Sequence, residues 1–418
     1  MRRKKRKIGR GFLYGLILLI VAGASAYATH KYDLATLPKK QVAERPLQPI
    51  GEENNHKALS LPSPHKAEAA SAPPNVVNDQ AIDDYLKTVH FNGSAIVVKN
   101  GKVLLNKGYG FANTAKKINN NKETVYYIGS ISKSFTSVAF MQLQEEGKIN
   151  RDDAVSKYLP DFPHGNKIKL FNLLTHTSGI SGYKETQEPI SRSELEKRIA
   201  NSARMLLFTP GMGWHYTDSN YALLGMIIEK VTGEPLQNYI QTHIFQVADM
   251  KHAGFGNQFY KEKYPSTSYR TVKGRTYSPK HADFSQLVGC GDVYATAEDM
   301  YKFDHALRTG KLMSPASYKQ MVTPYQHHYG FGMYINRKGW FIPPGNISAH
   351  GVIAGWDTSN SFSKDGKVYV VLLANAPTPS FGTINKTLYQ LAEQSTVQKN
   401  KVPTNTNGGG KVASKGRE

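Results

Sequence analysis

The stretch Ile128-Gly129-Ser130-Ile131-Ser132-Lys133-Ser134-Phe135 opens a run in which apolar side chains recur at helical spacing, through Val138, Ala139 and Leu143, until Gly147 supplies a stop. That periodicity predicts a helix over 131–146. On either side of it the chain reads differently. Upstream, Ser94–Lys99 and Lys102–Asn106 are strand-like runs joined by Asn100-Gly101, a pair well suited to a two-residue hairpin turn. Downstream, Val368–Leu373 follows Asp365-Gly366, with Thr358–Ser363 as the preceding strand. Further helices are expected at 193–206, 220–232, 235–245, 297–309 and 383–395, separated by loops such as Thr209-Pro210-Gly211. Strands at both ends with helices between them imply an antiparallel sheet assembled from distant parts of the chain and packed against helices, an α+β architecture.

Helical spacing also makes a chemical pair of Ser130 and Lys133. Ser-x-x-Lys occurs at Ser63/Lys66, Ser130/Lys133, Ser181/Lys184 and Ser361/Lys364. Ser63 lies in a Pro-rich spacer, Ser181 in a Gly-flanked loop, and Ser361 runs into a hairpin turn. Only Ser130 stands at the first turn of a helix, where the residue three positions on shares its face. The free N–H groups and positive dipole end there favour an oxyanion on a group attacked by Ser130. Lys133 can act as the base if burial or a cationic neighbour lowers its pKa. The same window also fits an N-cap serine followed by a solvated lysine.

Other windows bear on that choice: Gly108-Tyr109-Gly110, Asp153–Pro160, Leu173-Leu174-Thr175-His176-Thr177-Ser178-Gly179, Pro210-Gly211, Tyr216 to Gly225, and Gly289 to Asp299. In kind and order they resemble the serine β-lactamase and penicillin-binding-protein superfamily, in its class C-like branch of DD-peptidases and esterases, over residues 78–395. The resemblance implies a β-lactamase/DD-peptidase-like fold, an antiparallel sheet flanked by helices plus an inserted helical subdomain. It implies acyl-enzyme chemistry with Ser130 as nucleophile, Lys133 taking its proton and Tyr216 protonating the leaving group. The family's Tyr-x-Asn motif falls on Tyr216-Thr217-Asp218, where Asp218 puts a carboxylate acceptor in place of an amide donor. The third motif, Lys-Thr-Gly or His-x-Gly, falls within Ala349-His350-Gly351-Val352-Ile353-Ala354-Gly355-Trp356, with two registers open. His350 is a substrate-binding candidate in either. A small residue such as Gly351 lets substrate lie beside the strand, and the N–H of Val352 is placed to complete an oxyanion hole with that of Ser130.

The Tyr-x-Asp variant also resembles the FmtA-type teichoic-acid D-alanine esterases of this superfamily. An Asp218 carboxylate repels a peptide carbonyl but can pair with the ammonium of a D-alanyl ester or with Lys133. The expected function is therefore an extracytoplasmic serine hydrolase that removes D-alanyl esters from teichoic or lipoteichoic acid. The alternatives are a DD-carboxypeptidase or weak β-lactamase acting on peptidoglycan-type D-Ala-D-Ala substrates, and a catalytically silent wall-polymer binder. No cofactor is implied, and no metal: the 14 histidines contain no H-E-x-x-H pattern. His176 reads as packing behind the active-site helix, and the absence of G-x-S-x-G argues against an α/β-hydrolase.

Charge is unevenly spread along the 418 residues, whose 39% hydrophobic and 11% aromatic content is ample for a core. Of the formal +21, seven charges lie in residues 1–10, a net one in 29–77 and four in 396–418, leaving +9 on 78–395. The basic run and the uncharged stretch behind it make 1–28 an N-terminal membrane anchor or signal peptide, with Ala26-Tyr27-Ala28 as a cleavage option. Residues 29–77 read as an extended Pro-rich linker and 396–418 as a disordered basic tail. The single Cys290 forbids an intramolecular disulfide. No aromatic platform accompanies the Lys clusters, so the expected partner is an anionic cell-wall polymer or peptidoglycan and not a nucleic acid.

Overall fold

Val368-Tyr369-Val370-Val371-Leu372-Leu373-Ala374 carries no charged residue and no polar alternation, the signature of a strand covered on both faces. The structure, a computed structural model, describes residues 76–335, 346–378 and 380–395. The predicted anchor at 1–28, the linker up to residue 75 and the tail at 396–418 lie outside the described residues. Among the described residues no helix is long and apolar enough to cross a membrane.

Six strands form the main sheet: β1 (Gly93–Lys99), β2 (Lys102–Tyr109), β3 (Tyr334–Ile335), β4 (Ile347–Ile353), β5 (Trp356–Phe362) and β6 (Val368–Ala374). Asn100 and Gly101 turn β1 into β2 at φ of 50° and 75°, the positive pair that a type I′ hairpin turn requires. A second hairpin joins β4 to β5 through Ala354 and Gly355, also at positive φ. β1 then pairs with β6 in an unbroken register from Gly93↔Ala374 to Lys99↔Val368, closing an antiparallel sheet of order β3-β4-β5-β6-β1-β2. The two ends of the domain are thus neighbours in the sheet, as the sequence predicts.

Alternation along β1 and β6 divides their side chains between two cores. Ala95, Val97, Val370 and Leu372 meet Ile82 and Leu86 of α1 (Gln80–Thr88) and Phe381, Ile384, Leu388 and Ala392 of α5 (Phe381–Gln394). Ile96, Val98, Val371 and Leu373 face the larger core, built with α2 (Ser132–Glu145), α3 (Asp218–Thr232) and α4 (Ala297–Arg308). Most of the predicted helices therefore stand, with shifted ends. The predicted 193–206 helix spans Arg192–Ala203, and the 235–245 helix is a short α-helix, Leu236–Ile240, continued by a wider π turn to Phe245. Helices at Gln80–Thr88, Leu170–Leu174 and Pro315–Met321 go beyond the predicted set.

α2 is buried nearly all round, so its polar residues must find partners inside the protein. Ser132 Oγ accepts from Val293 N at 3.2 Å, Ser134 Oγ donates to Gly332 O at 3.0 Å, and Thr136 Oγ1 donates to Gly289 O at 2.8 Å. These bonds fix the loops around the helix start, each worth about 1 kcal/mol net and more if one partner is removed.

Candidate active site

Ser130 lies on a single 3₁₀ turn, Gly129–Ile131, that leads directly into α2. The predicted helix thus tightens at its first residues, and the turn brings Ser130 against β4. Two glycines permit the approach. Gly129 sits at φ 51°, and a Cβ there would stand 2.9 Å from Val352 N. A Cβ on Gly351 would fall 1.8 Å from Ile128 O and 3.0 Å from Ser130 N. Thr358 of β5 locks the pair by donating to both Ile128 O (3.1 Å) and Gly351 O (3.0 Å).

The β4–β5 hairpin also aims a donor. Its two-residue turn is closed by the pair Ile353↔Trp356, so Val352↔Asp357 is a pair that does not exchange backbone bonds. The Val352 N–H therefore points away from β5, to the edge where the serine turn lies. Among the described residues β3 pairs with only Ile347 and Ser348 of β4, leaving 349–353 without a strand neighbour on that edge. This is the arrangement the oxyanion-hole reading of Ser130 and Val352 requires.

Gly351, not His350, faces the serine. Alternation turns His350 to the opposite face of β4, where its Nε2 lies 2.6 Å from Asp357 Oδ1 and its ring is 6.1 Å from Phe381 of α5. The expectation that His350 contacts substrate beside Ser130 is corrected on this geometry, and the open register resolves with Gly351 as the small residue at the nucleophile.

Lys133 is 0% exposed and spends all three ammonium donors: on Ser130 Oγ at 3.0 Å, Asp218 Oδ1 at 2.6 Å and Cys290 O at 2.8 Å. Burial opposes its charge, but Asp218 outweighs burial and, with Tyr216, holds Lys133 above its ordinary value. The sequence reading asked for a lowered pKa. The structure corrects this: with Asp218 as counter-ion, the resting lysine is an ammonium. Asp218 is the first residue of α3, capped by Thr217, where a negative charge also meets the positive end of the helix.

Tyr216 completes the group, its phenol interacting with Ser130 and its ring centroid 5.0 Å from Lys133 Nζ. Burial, countered in part by Lys133, pushes its phenol up to about 12, so the phenol stays protonated at neutral pH. Behind it, buried His176 packs against the Tyr216 ring in a tilted arrangement, centroids 4.2 Å apart, and accepts through Nδ1 from Asn220 Nδ2 (3.0 Å) and Thr217 N (3.4 Å). Those acceptances put its proton on Nε2. Burial, aided by Lys133, lowers its pKa well below the usual imidazole value, leaving the neutral packing residue that the sequence suggests.

Ser130, Lys133, Tyr216, Asp218, Gly351 and Val352 are thus brought to one place, and His350 is not. The Cys290 carbonyl is the participant that residue-type reasoning missed, because a backbone acceptor leaves no mark in the side-chain pattern. Its one signal is position, inside the Gly289–Asp299 window. The arrangement has a nucleophile, an ion pair on it, a phenol beside it and the backbone N–H groups of Ser130 and Val352 close by, the parts needed for acyl transfer.

Comparison with known proteins agrees with the geometry. The family profile described as Beta-lactamase matches residues 78–394. PbpX of Bacillus subtilis (strain 168), named for penicillin binding, is 40% identical over 395 residues, covering 94% of this chain and 96% of that protein. The teichoic acid D-alanine hydrolase of Staphylococcus aureus (strain MRSA252) is 33% identical over 274 residues, 63% of this chain and 65% of the relative. The crystal structure of FmtA from Staphylococcus aureus superposes with a TM-score of 0.69 at 29% identity, covering 77% of this chain and 92% of that one. On the match over residues 78–394, this chain belongs to the beta-lactamase family and is a serine hydrolase of that fold.

Proposed function

We propose that this chain is an extracytoplasmic, acyl-enzyme-forming hydrolase that removes D-alanyl esters from teichoic or lipoteichoic acid. The observation that carries the reading is the 2.6 Å pair between Lys133 and Asp218, with the ammonium also on Ser130 Oγ. A base bonded in this way must give up a proton before it can take one, and Asp218 Oδ1 is the nearest acceptor. Lys133 passes that proton to Asp218, and the amine formed takes the Ser130 proton as Oγ attacks the ester carbonyl. The N–H groups of Ser130 and Val352 hold the oxyanion. Tyr216 protonates the departing alcohol and regains a proton from Lys133, which regains its own from Asp218, so the group returns to its resting protonation; water then attacks the D-alanyl-enzyme, releasing D-alanine and restoring Ser130. The negative charge at Asp218 also suits a substrate whose acyl group carries an ammonium.

The teichoic acid D-alanine hydrolase of Staphylococcus aureus among the relatives supports the substrate, and the basic run in residues 1–10 with the uncharged stretch behind it supports action outside the cell. The test is D-alanine release from purified lipoteichoic acid, comparing wild type with Ser130→Ala. Release by wild type and none by the variant is expected. No release by wild type, together with cleavage of a D-Ala-D-Ala peptide, would replace the esterase by a peptidase.

A further inference from the structure

One stretch outside the catalytic group holds cations with no acid to balance them. Between residues 263 and 282 stand Lys263, Arg270, Lys273, Arg275 and Lys280 and neither an aspartate nor a glutamate, a net +5 of the +9 carried by residues 78–395. Arg270, Lys273 and Arg275 belong to a two-stranded ribbon, Arg270–Val272 paired with Arg275–Tyr277. Lys273 and Gly274 close it at φ of 48° and 76°, the positive pair of a type I′ turn. Every residue from Thr271 to Ser278 is exposed. Among the described residues, the side chains of Arg270, Lys273, Arg275 and Lys280 have no hydrogen-bond or ion-pair partner.

Register places these groups. The cross-strand pairs Arg270↔Tyr277 and Val272↔Arg275 share one face of the ribbon, and Thr271↔Thr276 lies on the other, where the two hydroxyls meet at 2.9 Å. One face therefore shows two guanidinium groups beside a tyrosine ring and a valine, with Lys273 at the tip. Like charges on neighbouring cross-strand positions destabilise a ribbon, and two strands alone in water have little stability to spare. Among the described residues no carboxylate offsets that repulsion, so an anion from outside the chain is the group that fits it. The ribbon is also tied to an element of the site. Ser268 Oγ donates to Ala354 O at 2.6 Å, and a Cβ on Gly355 would stand 3.0 Å from Tyr269 O and 3.3 Å from Pro279 Cγ. Both ends of the ribbon thus rest on the β4–β5 turn, which follows Val352 and Ile353 along the chain. Tyr269 N, donating to Asn375 O at 2.7 Å, fixes the same base to the residue after β6.

We infer that this ribbon is a docking surface for a polyanionic phosphodiester chain, on which Arg270, Lys273 and Arg275 take backbone phosphates of the wall polymer while a D-alanyl ester farther along the same chain reaches Ser130. The identity of the polymer rests on the proposed esterase function; the charge complementarity does not. A phosphodiester chain repeats its charge at every unit, so it can be gripped away from the ester being cleaved and still be drawn toward the edge of β4 that lacks a strand neighbour. Guanidinium groups suit such a chain because their paired N–H donors match two phosphate oxygens at once. An anionic membrane surface fits less well. Seating in a membrane interface buries apolar side chains, whereas the tip here is Lys273-Gly274 flanked by Arg275, and the Tyr277 ring stands at the base.

The experiment uses the full chain, and its probe is poly(glycerol phosphate) stripped of D-alanine and lipid, so that binding is read without hydrolysis. Calorimetric titrations at several salt concentrations compare wild type with the ribbon triple variant Arg270→Gln, Lys273→Gln, Arg275→Gln. A control triple variant, Lys230→Gln, Lys311→Gln, Lys319→Gln, removes the same charge at exposed positions elsewhere. The ribbon variant should raise Kd about ten-fold or more and flatten the slope of log Kd against log salt by about 2, at about 0.7 per lost phosphate contact. The control should stay close to wild type. On lipoteichoic acid the ribbon variant should raise KM to the same extent, with kcat and the hydrolysis of a phosphate-free D-alanyl ester of glycerol unaltered. An unchanged Kd in the ribbon variant, or an equal loss in the control, would overturn the docking surface and leave the esterase standing. Weaker binding to phosphatidylglycerol vesicles, with polymer binding intact, would assign the ribbon to the membrane and overturn it as well. Ribbon-dependent polymer binding by a wild type that releases D-alanine from neither ester would keep the surface and remove the esterase reading.

Discussion

At Asp218 one oxygen does two jobs. It neutralises a lysine with no exposure to water, and at 2.6 Å it is the acceptor through which that lysine can become a base. Asp218→Asn separates the two, because an amide oxygen keeps the hydrogen bond but takes no proton. Without the carboxylate, burial pulls the Lys133 pKa down and favours the neutral amine. If lysine neutrality were the bottleneck, the variant would be faster. The proton path through Asp218 instead predicts a fall of about 10²-fold in kcat/KM on a D-alanyl ester, the usual size of a lost acid–base partner. Steady-state kinetics with acyl-enzyme trapping check this, and unchanged rates would reduce Asp218 to a structural counter-ion. At Gly351 the argument is steric. A methyl group 1.8 Å from Ile128 O must displace the serine turn. Gly351→Ala should therefore cost about 1–3 kcal/mol of stability and about 10²-fold in kcat, since the Ser130 and Val352 donors lose their common target. Thermal melting and kinetics on the same preparation measure both.

Among the elements, the β4–β5 hairpin carries most of the positioning, and it is strained where it turns. Ala354 sits at φ 43°, a conformation that costs an L-residue with a Cβ about 1–2 kcal/mol. Ala354→Gly removes that cost while adding freedom to the unfolded chain, for a net gain of about 0.5–1 kcal/mol. A higher urea midpoint with unchanged slope is the expected result, and a lower one would mean that the Ala354 methyl packs usefully. The same hairpin shows why parts of the chain were readable and others not. The turn at Asn100-Gly101 is written in residue type, and the Val368–Ala374 run declares its own burial. β5 is different: Thr358, Ser359, Asn360 and Ser361 are all buried, so period-two patterning has little contrast, and the strand at Thr358–Ser363 is read only from its place before the Asp365-Gly366 turn. It closes because distant groups satisfy it, Asn385 Nδ2 on Ser359 Oγ at 2.8 Å and Asn360 Nδ2 on Asp304 Oδ1 at 2.9 Å. Likewise the Ser130–Lys133 spacing was visible, but the sign of the Lys133 shift was set by Asp218, 85 residues away. The facing of His350 was set by strand alternation once Gly351 was pinned to the turn.

On the scale of the whole molecule, the sheet joins the two ends of the domain while the helices carry the site, so the site's integrity depends on the loops that connect them. The loop at 289–292 is one of these. Its Cys290 carbonyl holds Lys133 at 2.8 Å, and its Asp292 side chain accepts from Gly289 N at 3.3 Å and from Gln237 Nε2 at 2.9 Å. Burial raises the Asp292 carboxyl from 3.8 to about 6, against the partial relief of those bonds. A group whose pKa is higher in the folded state binds more protons there, so its contribution is complete below pH about 4 and is lost as pH rises to about 6. Two pKa units correspond to about 3 kcal/mol at most. The sign is opposite to that of a salt-bridged surface carboxylate. Asp292→Asn cannot titrate, so the stability of wild type minus that of the variant should fall steadily between pH about 4 and 6 and stay level from there to 8. Urea unfolding of both proteins across that range gives the difference directly, and a difference independent of pH would place Asp292 in contact with water in the folded protein.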